Sequence, residues 1–394
     1  MSTNKNLAIL LHFTFFLSGI CTVLIGQVLP VISTGFALND LQAGYLFPAQ
    51  FCGSILGTLT SNWFGRRSRF LLATIIGSLA MAAGLTAMNV VSFDALLGGF
   101  FVNGLGIGLT LPSVNLLVLE MNPARGASAL SLLNFCWGAG AILCKPFVDA
   151  TATNGSIFIT TLTLAILLIF AAALIAFLPR DAETAVKAPR TDAPEPVSAA
   201  IWITGLAWAI ALFNFIQVGF ESGIGGWLTT YADRVNGEPV VHFFSPTFLY
   251  FLFFVAGRGV APIYFRFMTE NQVLLLDIVL MFAGMLTILF AVDLTWLSIG
   301  AAVSGFGASS VFPTNLARFT RTFGPAATRR ATPLFVTGTL GGAVVTWLIG
   351  FVSNQAASLR AGMFVLLSCV AILVVVQILL AVRSHDSKMN LLQI

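Results

Sequence analysis

The sequence predicts an all-α membrane protein whose twelve transmembrane helices form two six-helix bundles related as parallel repeats. Three observations predict this fold. Of the 394 residues, 58% are hydrophobic and only 9% are charged, whereas about 25% of the residues of an ordinary soluble domain are charged. Twelve stretches are long and apolar enough to cross a bilayer. A segment rich in proline, alanine and charge separates the first six stretches from the last six.

The composition also excludes several classes of protein. So few charges cannot cover the surface of a soluble fold of this size, which excludes a soluble enzyme, a nucleic-acid binder and a secreted disulfide scaffold. The five cysteines lie in apolar stretches without metal-ligand spacing, so we expect buried, reduced thiols. Because the sequence contains no P-loop, HExxH or CxxC motif, we expect no enzymatic activity, cofactor or metal.

The first half of the chain is predicted to form an N-terminal six-helix bundle over residues 1–178. The chain starts with MSTNKN and enters an apolar run without a cleavage site, so we expect no removable signal peptide. Small residues are dense at 98–109 (GGFFVNGLGIGL), which favours close approach of helices. The predicted helices lie at 7–34, 41–64, 70–90, 95–119, 126–149 and 155–178.

The second half is predicted to form a C-terminal six-helix bundle over residues 200–394, after a cytoplasmic linker at 179–199. The linker sequence PRDAETAVKAPRTDAPEPVS has no apolar periodicity and is typical of a flexible connection. The predicted helices lie at 200–231, 244–267, 272–291, 296–317, 330–352 and 359–382.

The distribution of basic residues predicts the orientation. If both termini are cytoplasmic, fifteen Lys and Arg residues lie on the inner side, and only Arg234 and Arg360 lie on the outer side. This asymmetry follows the positive-inside rule. We therefore expect a multi-pass protein of the bacterial inner membrane with both termini in the cytoplasm. The basic loops indicate topology and contact with anionic lipid, not nucleic-acid binding.

The two halves resemble each other at an offset near 200 residues. Gly19 and Gly26 match Gly219 and Gly226, and further pairs follow in the same order. Ordered matches with both ends on one side indicate a parallel duplication. Two similar bundles joined by a loose linker suit alternating access around a central site, as in a secondary transporter. A channel would more often show a repeated pore loop or a charged ring, and the sequence shows neither.

Several motifs resemble the major facilitator superfamily over essentially the whole chain. The stretch TLTSNWFGRRSR (58–69) is similar to the loop after the family's second helix, with Asn62 and Trp63 in place of an Asp and an Arg. GFESGIGGWLTTY (219–231), NGLGIGLTLPSVN (103–115) and LNFCWGAGA (133–141) resemble helices 7, 4 and 5 of the fucose-permease-like sugar transporters. The resemblance implies the major facilitator fold and transport of a small polar solute, a hexose-type sugar, by alternating access. Those transporters carry an acid in helix 1 and another in helix 4, and this sequence has neither, so proton coupling by that pair is not carried over. Symport with protons, or alternatively with sodium, is expected from Glu221 instead.

Helix 7 carries the main candidate residues. Asn214, Gln217 and Glu221 share one face, because they are spaced i, i+3 and i+7. Amides and a carboxylate suit sugar hydroxyls, and Trp227 offers a stacking surface near them. Acids inside membranes are functional candidates by default, so Glu221 is predicted to carry the coupling proton. A helix start near 200 places Glu221 in the outer half, and the alternative role is a gate-forming or helix-stabilising acid.

Helix 5 carries a second polar stripe, formed by Asn134, Trp137 and Lys145. Asn134 and Trp137 are candidate substrate ligands. Lys145 is expected at the depth of Glu221, and the two are a candidate ion pair that opens and re-forms during transport. The alternative is a local pair between Lys145 and Asp149 one turn later.

Further candidates come from the helices that line the cavity in the resembled family. Helices 1, 4, 7 and 10 line it there, which makes further amides candidate hydroxyl ligands. For each of them an interhelical hydrogen bond is an equally good interpretation. These candidates are Gln27, Asn103, Asn115 and Asn315.

Arg258 on helix 8 and Asp277 on helix 9 are candidate coupling or gating residues. We expect them to form a structural pair near the cytoplasm that steadies the hairpin. The rival interpretation is that Arg258, together with Lys145, binds an anion. The alternatives to sugar transport are therefore transport of organic anions and, given the 36 phenylalanines, export of amphipathic drugs or lipids. A non-transporting receptor or scaffold is a further alternative, and a monomer is expected in each case.

Overall fold

The computed structural model describes residues 2–122, 126–153, 155–177, 199–241, 243–324 and 331–392, with the backbone alone for 2–4, 127, 199–200 and 381–392. These residues form thirteen α-helices and one 3-10 helix in two compact units. The predicted all-α membrane fold is confirmed, because twelve helical segments match the twelve predicted spans, one of them divided in two. The linker predicted at 179–199 lies outside the described residues, apart from Ala199.

The first unit contains six helices. Asn39 begins α2 with a capping box, since its side chain accepts the backbone N–H of Gln42 while the Gln42 side chain accepts its own N–H. The inner faces of α1, α4 and α5 meet in a core that includes Leu11, Val114 and Leu133. The helices are α1 (Ser2–Gly35), α2 (Asp40–Arg66), α3 (Phe70–Ala87), α4 (Phe93–Met121), α5 (Gly126–Thr151) and α6 (Phe158–Ala176).

The second unit contains a 3-10 helix (Ala199–Ile203) and seven α-helices. Thr204 caps the first of these, and Gly237 ends it in the left-handed conformation (φ 78°), which glycine adopts without steric penalty. Ser245 and Thr269 cap the next two. The helices are α7 (Gly205–Asn236), α8 (Pro246–Tyr264), α9 (Glu270–Leu289), α10 (Leu294–Ala308), α11 (Val311–Phe323), α12 (Thr332–Ala356) and α13 (Leu359–Leu392).

The tenth predicted span is broken where one continuous helix was expected. α10 ends at Ala308 and α11 begins at Val311, with Ser309 and Ser310 between them. Pro313 lies beside the break and has no N–H to donate to the carbonyl four residues earlier, that of Ser309. Broken helices are tolerated at membrane depth where the freed backbone groups find other partners.

Eleven helical segments in the described part of the chain are long and apolar enough to cross a membrane, and α10 and α11 count together as one of them. α2 is not in this set, although its 27 residues exceed the length of a span. Polar residues such as Gln50 and Ser61 make this helix less apolar, and both are buried inside the protein. The bundle therefore contains a helix that its mean hydropathy alone would not identify as a membrane span.

Glycines allow the closest helix contacts in both units. A Cβ on Gly104 of α4 would lie 1.9 Å from the carbonyl oxygen of Gln50 on α2, and a Cβ on Gly341 of α12 would lie 1.9 Å from the carbonyl oxygen of Phe215 on α7. No side chain fits at such distances. The glycine-rich stretches at 98–109 and 338–344 therefore serve as packing surfaces.

A pair of glycine substitutions in α4 tests this packing. We expect Gly104→Ala to destabilise the protein by roughly 1–3 kcal/mol, because the new methyl group meets the backbone of α2. We expect Gly98→Ala to be tolerated, since a Cβ there meets nothing within 4 Å. The melting temperatures of the detergent-solubilised variants measure the difference, and equal values for the two would contradict the packing.

Candidate functional site

A cluster of polar and charged side chains lies on α7 and α8 of the second unit. Glu221 stands at the midpoint of α7, where its Oε1 accepts a hydrogen bond of 2.5 Å from Nε2 of Gln217. α7 begins at Gly205 and not near 200, so Glu221 lies fewer residues into the helix than expected, and its place in the outer half of the membrane stays a prediction. A partly buried carboxyl group is therefore held in the middle of a membrane helix and oriented by an amide one turn earlier.

Arg258 of α8 lies in the same unit, within the range at which its charge and that of Glu221 attract each other. The guanidinium carbon lies 4.2 Å from the ring centroid of Phe254, and Nε donates to the carbonyl of Ser309 over 3.1 Å. Among the described residues, neither terminal nitrogen of Arg258 donates a hydrogen bond to a protein group. The planar end of the guanidinium is thus available to a planar anion.

Tyr250 completes the cluster one turn before Phe254. Its side chain is 1% exposed, and its hydroxyl has no hydrogen-bond partner among the described residues. Its ring stacks on that of Phe254, with the two centroids 6.1 Å apart. We refer to Gln217, Glu221, Tyr250, Phe254 and Arg258 as the α7–α8 site.

Asp277 does not pair with Arg258, contrary to the expected structural pair. The hydroxyl of Ser310 donates to the Asp277 carboxylate in a short hydrogen bond. No ion pair joins Arg258 and Asp277 within the described ranges. The two residues instead bind consecutive residues, Ser309 and Ser310, at the break between α10 and α11. Arg258 and Asp277 were predicted to pair with each other. In the structure each of them has a hydrogen-bond partner at the break instead.

Three candidate amides hold neighbouring helices together. The side-chain nitrogen of Asn214 donates to a carbonyl of α12 over 2.8 Å, and that of Asn315 donates to a carbonyl of α7 over 3.2 Å. In the first unit, Asn103 donates to a carbonyl of α1 over 3.3 Å. Trp227 is fully buried, and its Nε1 donates to a carbonyl of α12 over 3.0 Å. For Asn103 and Asn315 this interhelical bond is the alternative to substrate binding that the sequence left open, whereas for Asn214 and Trp227 it was not expected.

The remaining amides bind within their own helices. Asn115 and Asn134 donate to carbonyls four residues earlier at 2.9 and 2.8 Å, and Gln27 has a similar contact of 3.5 Å. Trp137 is half-buried, and its indole nitrogen has no hydrogen-bond partner among the described residues. These side chains belong to three helices of the first unit.

Lys145 forms its ion pair within α5. Its ammonium group contacts the carboxylate of Asp149 one turn later in a short, largely buried pair. This is the local alternative that the spacing of the two residues offered. The ion pair between Lys145 and Glu221 that opens and re-forms during transport stays a prediction.

Sequence reasoning missed four residues of the second unit. Tyr250, Ser309 and Ser310 lie at or beside the α7–α8 site, and Arg318 is buried in α11 although it was counted as an inner-side charge. Nη2 of Arg318 donates to Oε1 of Gln377 over 2.5 Å. Pro313 was the signal that could have located the break, because it frees the carbonyl that Arg258 binds.

Comparisons with known proteins agree with this architecture. A family model described as the Major Facilitator Superfamily matches residues 11–292. The nucleoside transporter NupG superposes with a TM-score of 0.78 at 13% identity over 97% of this chain and 99% of its own. A variant of the fucose:proton symporter FucP of E. coli superposes with a TM-score of 0.62 at 18% identity over 95% and 98% of the two chains. At these identities the likeness shows the fold alone.

Two curated relatives match over shorter segments. The 4-hydroxybenzoate transporter PcaK of Pseudomonas aeruginosa is 27% identical over 148 residues, which cover 36% of this chain and 32% of the relative. The niacin transporter NiaP of Acinetobacter baylyi is 34% identical over 125 residues, which cover 30% and 28% of the two chains. The chain thus spans about a third of the length of the curated relatives it matches.

Proposed function

Because the chain belongs to the Major Facilitator Superfamily, we propose that this multi-pass membrane protein is a secondary transporter of small organic anions. Its family consists of transporters and not of enzymes. The proposed substrates are aromatic monocarboxylates. The observation that carries the proposal is the open guanidinium of Arg258 at the α7–α8 site, held in place by the Ser309 carbonyl and the Phe254 ring.

The placement of Arg258 supports anion binding. A guanidinium inside a membrane span is energetically costly and is kept where it serves a function. Arg258 is held by one backbone carbonyl and one aromatic ring, which orient the group without using its terminal nitrogens. Those nitrogens form a rigid fork that matches the two oxygens of a carboxylate.

The curated relatives support the same substrate class. They are transporters of 4-hydroxybenzoate and of niacin, which are both aromatic carboxylates. The matches cover only part of each relative, so this support concerns the chemical class of substrate and not an individual compound. It agrees with the organic-anion interpretation of Arg258 and favours it over export of amphipathic drugs or lipids.

Glu221 is proposed to couple transport to protons. Its carboxylate and a substrate carboxylate are both attracted to Arg258, so they compete for the same guanidinium. Uptake of a proton by Glu221 removes the competing charge and frees Arg258 for the substrate. Proton and anion then move together, and Gln217 keeps Glu221 oriented through the 2.5 Å hydrogen bond. Sodium is the alternative coupling ion.

A hexose-type sugar is the second candidate substrate. The specific observation in its favour is the Gln217–Glu221 pair, which offers an amide and a carboxyl group of the kind that bind hydroxyls. The nitrogens of Asn214 and Asn315, which would complete a sugar site, donate to backbone carbonyls of other helices. The anion therefore remains the proposed substrate.

The location in the membrane is also a proposal. Fifteen basic residues against two support cytoplasmic termini and insertion in a bacterial inner membrane. The domain limits of 1–178, 179–199 and 200–394, and the monomeric state, stay predictions.

A ligand screen tests the choice of substrate. We expect benzoate and nicotinate to raise the melting temperature of the detergent-solubilised protein, because a ligand that binds only the folded state stabilises it. Benzamide and nicotinamide have nearly the same shape without the charge and are the matched controls, for which we expect no shift. Stabilisation by hexoses together with no response to the carboxylates would reverse the proposal in favour of the sugar.

A further inference from the structure

The break between α10 and α11 links Asp277 to Arg258 through two consecutive residues. On one side, the hydroxyl of Ser310 donates a short hydrogen bond to the Asp277 carboxylate. On the other side, the carbonyl of Ser309 accepts the Nε–H of Arg258 over 3.1 Å. Both serines and Asp277 are buried, so water does not compete for these hydrogen bonds. Side chains of α8 and α9 therefore meet at one pair of buried serines.

The two hydrogen bonds are joined by one rigid peptide unit. The carbonyl group of Ser309 and the Cα atom of Ser310 lie in the same plane, because the peptide bond between them has partial double-bond character. The hydroxyl oxygen of Ser310 is separated from that Cα atom by a single rotatable bond, which prefers staggered positions. A rotation that redirects the Ser309 carbonyl therefore moves the Ser310 hydroxyl away from its acceptor.

Close backbone contacts hold α8 and α9 against the break. A Cβ on Gly257 of α8 would lie 2.3 Å from the side-chain oxygen of Ser309. A Cβ on Gly307 of α10 would lie 2.7 Å from the carbonyl oxygen of Asp277. No side chain fits at either distance without a shift of its neighbour, so Asp277 is fixed at the level of the residues that it binds.

We propose that Asp277 is a positioning residue for substrate binding, which acts through the break to orient the guanidinium of Arg258. This inference rests on the proposed function and extends it to a residue that does not touch the substrate. Asp277 fixes Ser310. The adjacent Ser309 carbonyl then holds Nε of Arg258, and the guanidinium carbon lies 4.2 Å from the ring centroid of Phe254. These two contacts hold the guanidinium plane, so its terminal nitrogens present their fork in a constant direction.

Asp277→Ala and Asp277→Asn test the positioning role as a pair. We expect benzoate to bind Asp277→Ala about tenfold more weakly, the typical effect of one hydrogen bond to a charged group. We expect Asp277→Asn to bind within about threefold of wild type, because the amide oxygen still accepts from Ser310 in a neutral and weaker hydrogen bond. Isothermal titration calorimetry on the purified full-length protein measures the dissociation constants. The matched control is Ser113→Ala, which removes a buried hydroxyl bonded to Ser61 in the first unit and should leave binding unchanged.

A double-mutant cycle with Arg258→Lys separates positioning from a general structural role. Lysine has no guanidinium plane for the Ser309 carbonyl to orient. If Asp277 acts through Arg258, adding Asp277→Ala to Arg258→Lys costs little further affinity, and the double variant stays about tenfold weaker than wild type. A general loss of structure would add to the loss from Arg258→Lys and weaken binding about hundredfold. That additive result would overturn the inference.

The combination of Asp277→Ala with Ser310→Ala guards the test against misfolding. Asp277→Ala alone leaves the buried Ser310 hydroxyl without its acceptor, whereas removing both partners is nearly neutral for stability. We expect the combined variant to keep the wild-type melting temperature and to bind benzoate about tenfold more weakly. Wild-type affinity in this folded variant would refute the role of Asp277 and leave the anion proposal standing. If the wild-type protein binds no aromatic carboxylate, both proposals fail.

Discussion

Arg258→Ala is expected to lower kcat/KM for benzoate transport by about 100-fold or more, since a bidentate pair between a guanidinium and a carboxylate contributes several kcal/mol where water is excluded. We expect Arg258→Lys to lose roughly tenfold, because lysine keeps the charge but not the planar fork. Uptake of labelled benzoate into proteoliposomes measures both effects. The graded order, alanine below lysine below arginine, is the signature of carboxylate recognition by the fork.

The matched control for this prediction is Arg360→Ala. Arg360 also lies over an aromatic ring, that of Phe290 at 5.3 Å, but it is exposed at the start of α13. We expect its removal to leave benzoate transport unchanged. Because Arg258 also binds the Ser309 carbonyl, the melting temperature of each variant is measured alongside transport. Folded Arg258→Ala protein that transports benzoate at the wild-type rate would exclude Arg258 as the substrate ligand.

Glu221→Gln is expected to abolish uphill accumulation of the anion while exchange across the membrane continues. Glutamine has nearly the shape of protonated glutamic acid, but it cannot release or take up a proton. The variant therefore leaves Arg258 without a competing carboxylate and able to bind substrate, while the link to the proton gradient is lost. With an imposed inward proton gradient, we expect the accumulation ratio to fall to the value of passive equilibration.

Counterflow in the absence of a gradient supplies the second measurement for Glu221. We expect the Glu221→Gln variant to retain counterflow of labelled benzoate, which separates loss of coupling from loss of folding or binding. Glu238→Gln is the control, since Glu238 is an exposed acid just beyond α7. Uphill uptake that survives unchanged in Glu221→Gln would remove Glu221 from the coupling mechanism and direct attention to Asp277 at the helix break.

The polar stripe on α7, formed by Asn214, Gln217 and Glu221, shows what sequence spacing can and cannot predict. The pattern at 214, 217 and 221 predicts one shared face, and Gln217 does bind Glu221 there. Asn214 instead donates to a carbonyl of α12. One face of a helix covers a broad sector of its surface, so two residues on that face can contact different neighbouring helices. Which neighbour each side chain meets depends on the rotation of α7 against α12, more than a hundred residues away in the sequence.

Arg258 illustrates the same limit for charged groups. Asp277 was the expected partner of Arg258 because the two have opposite charges and were expected at a similar depth in the membrane. Both residues do lie in consecutive helices of one unit. The structure gives each of them a serine at the break in the tenth span instead. Pro313, beside the break, is visible in the sequence. The group that donates to the Ser309 carbonyl is the side chain of Arg258, which belongs to another helix. The unpaired end of Arg258, on which the proposed function rests, follows from that arrangement.

The sequence by itself determined the membrane class, the twelve helical segments and the family, because hydropathy, helix length and short motifs are properties of contiguous residues. Only the tertiary structure decided that Arg258 binds the Ser309 carbonyl with its terminal donors open, that the Tyr250 hydroxyl is buried without a hydrogen-bond partner among the described residues, and that most candidate amides bind backbone carbonyls. Those outcomes depend on how each helix is rotated and on which distant segment packs against it. In a bilayer that rotation is set by the close packing of small residues and by interhelical hydrogen bonds, which no local pattern encodes.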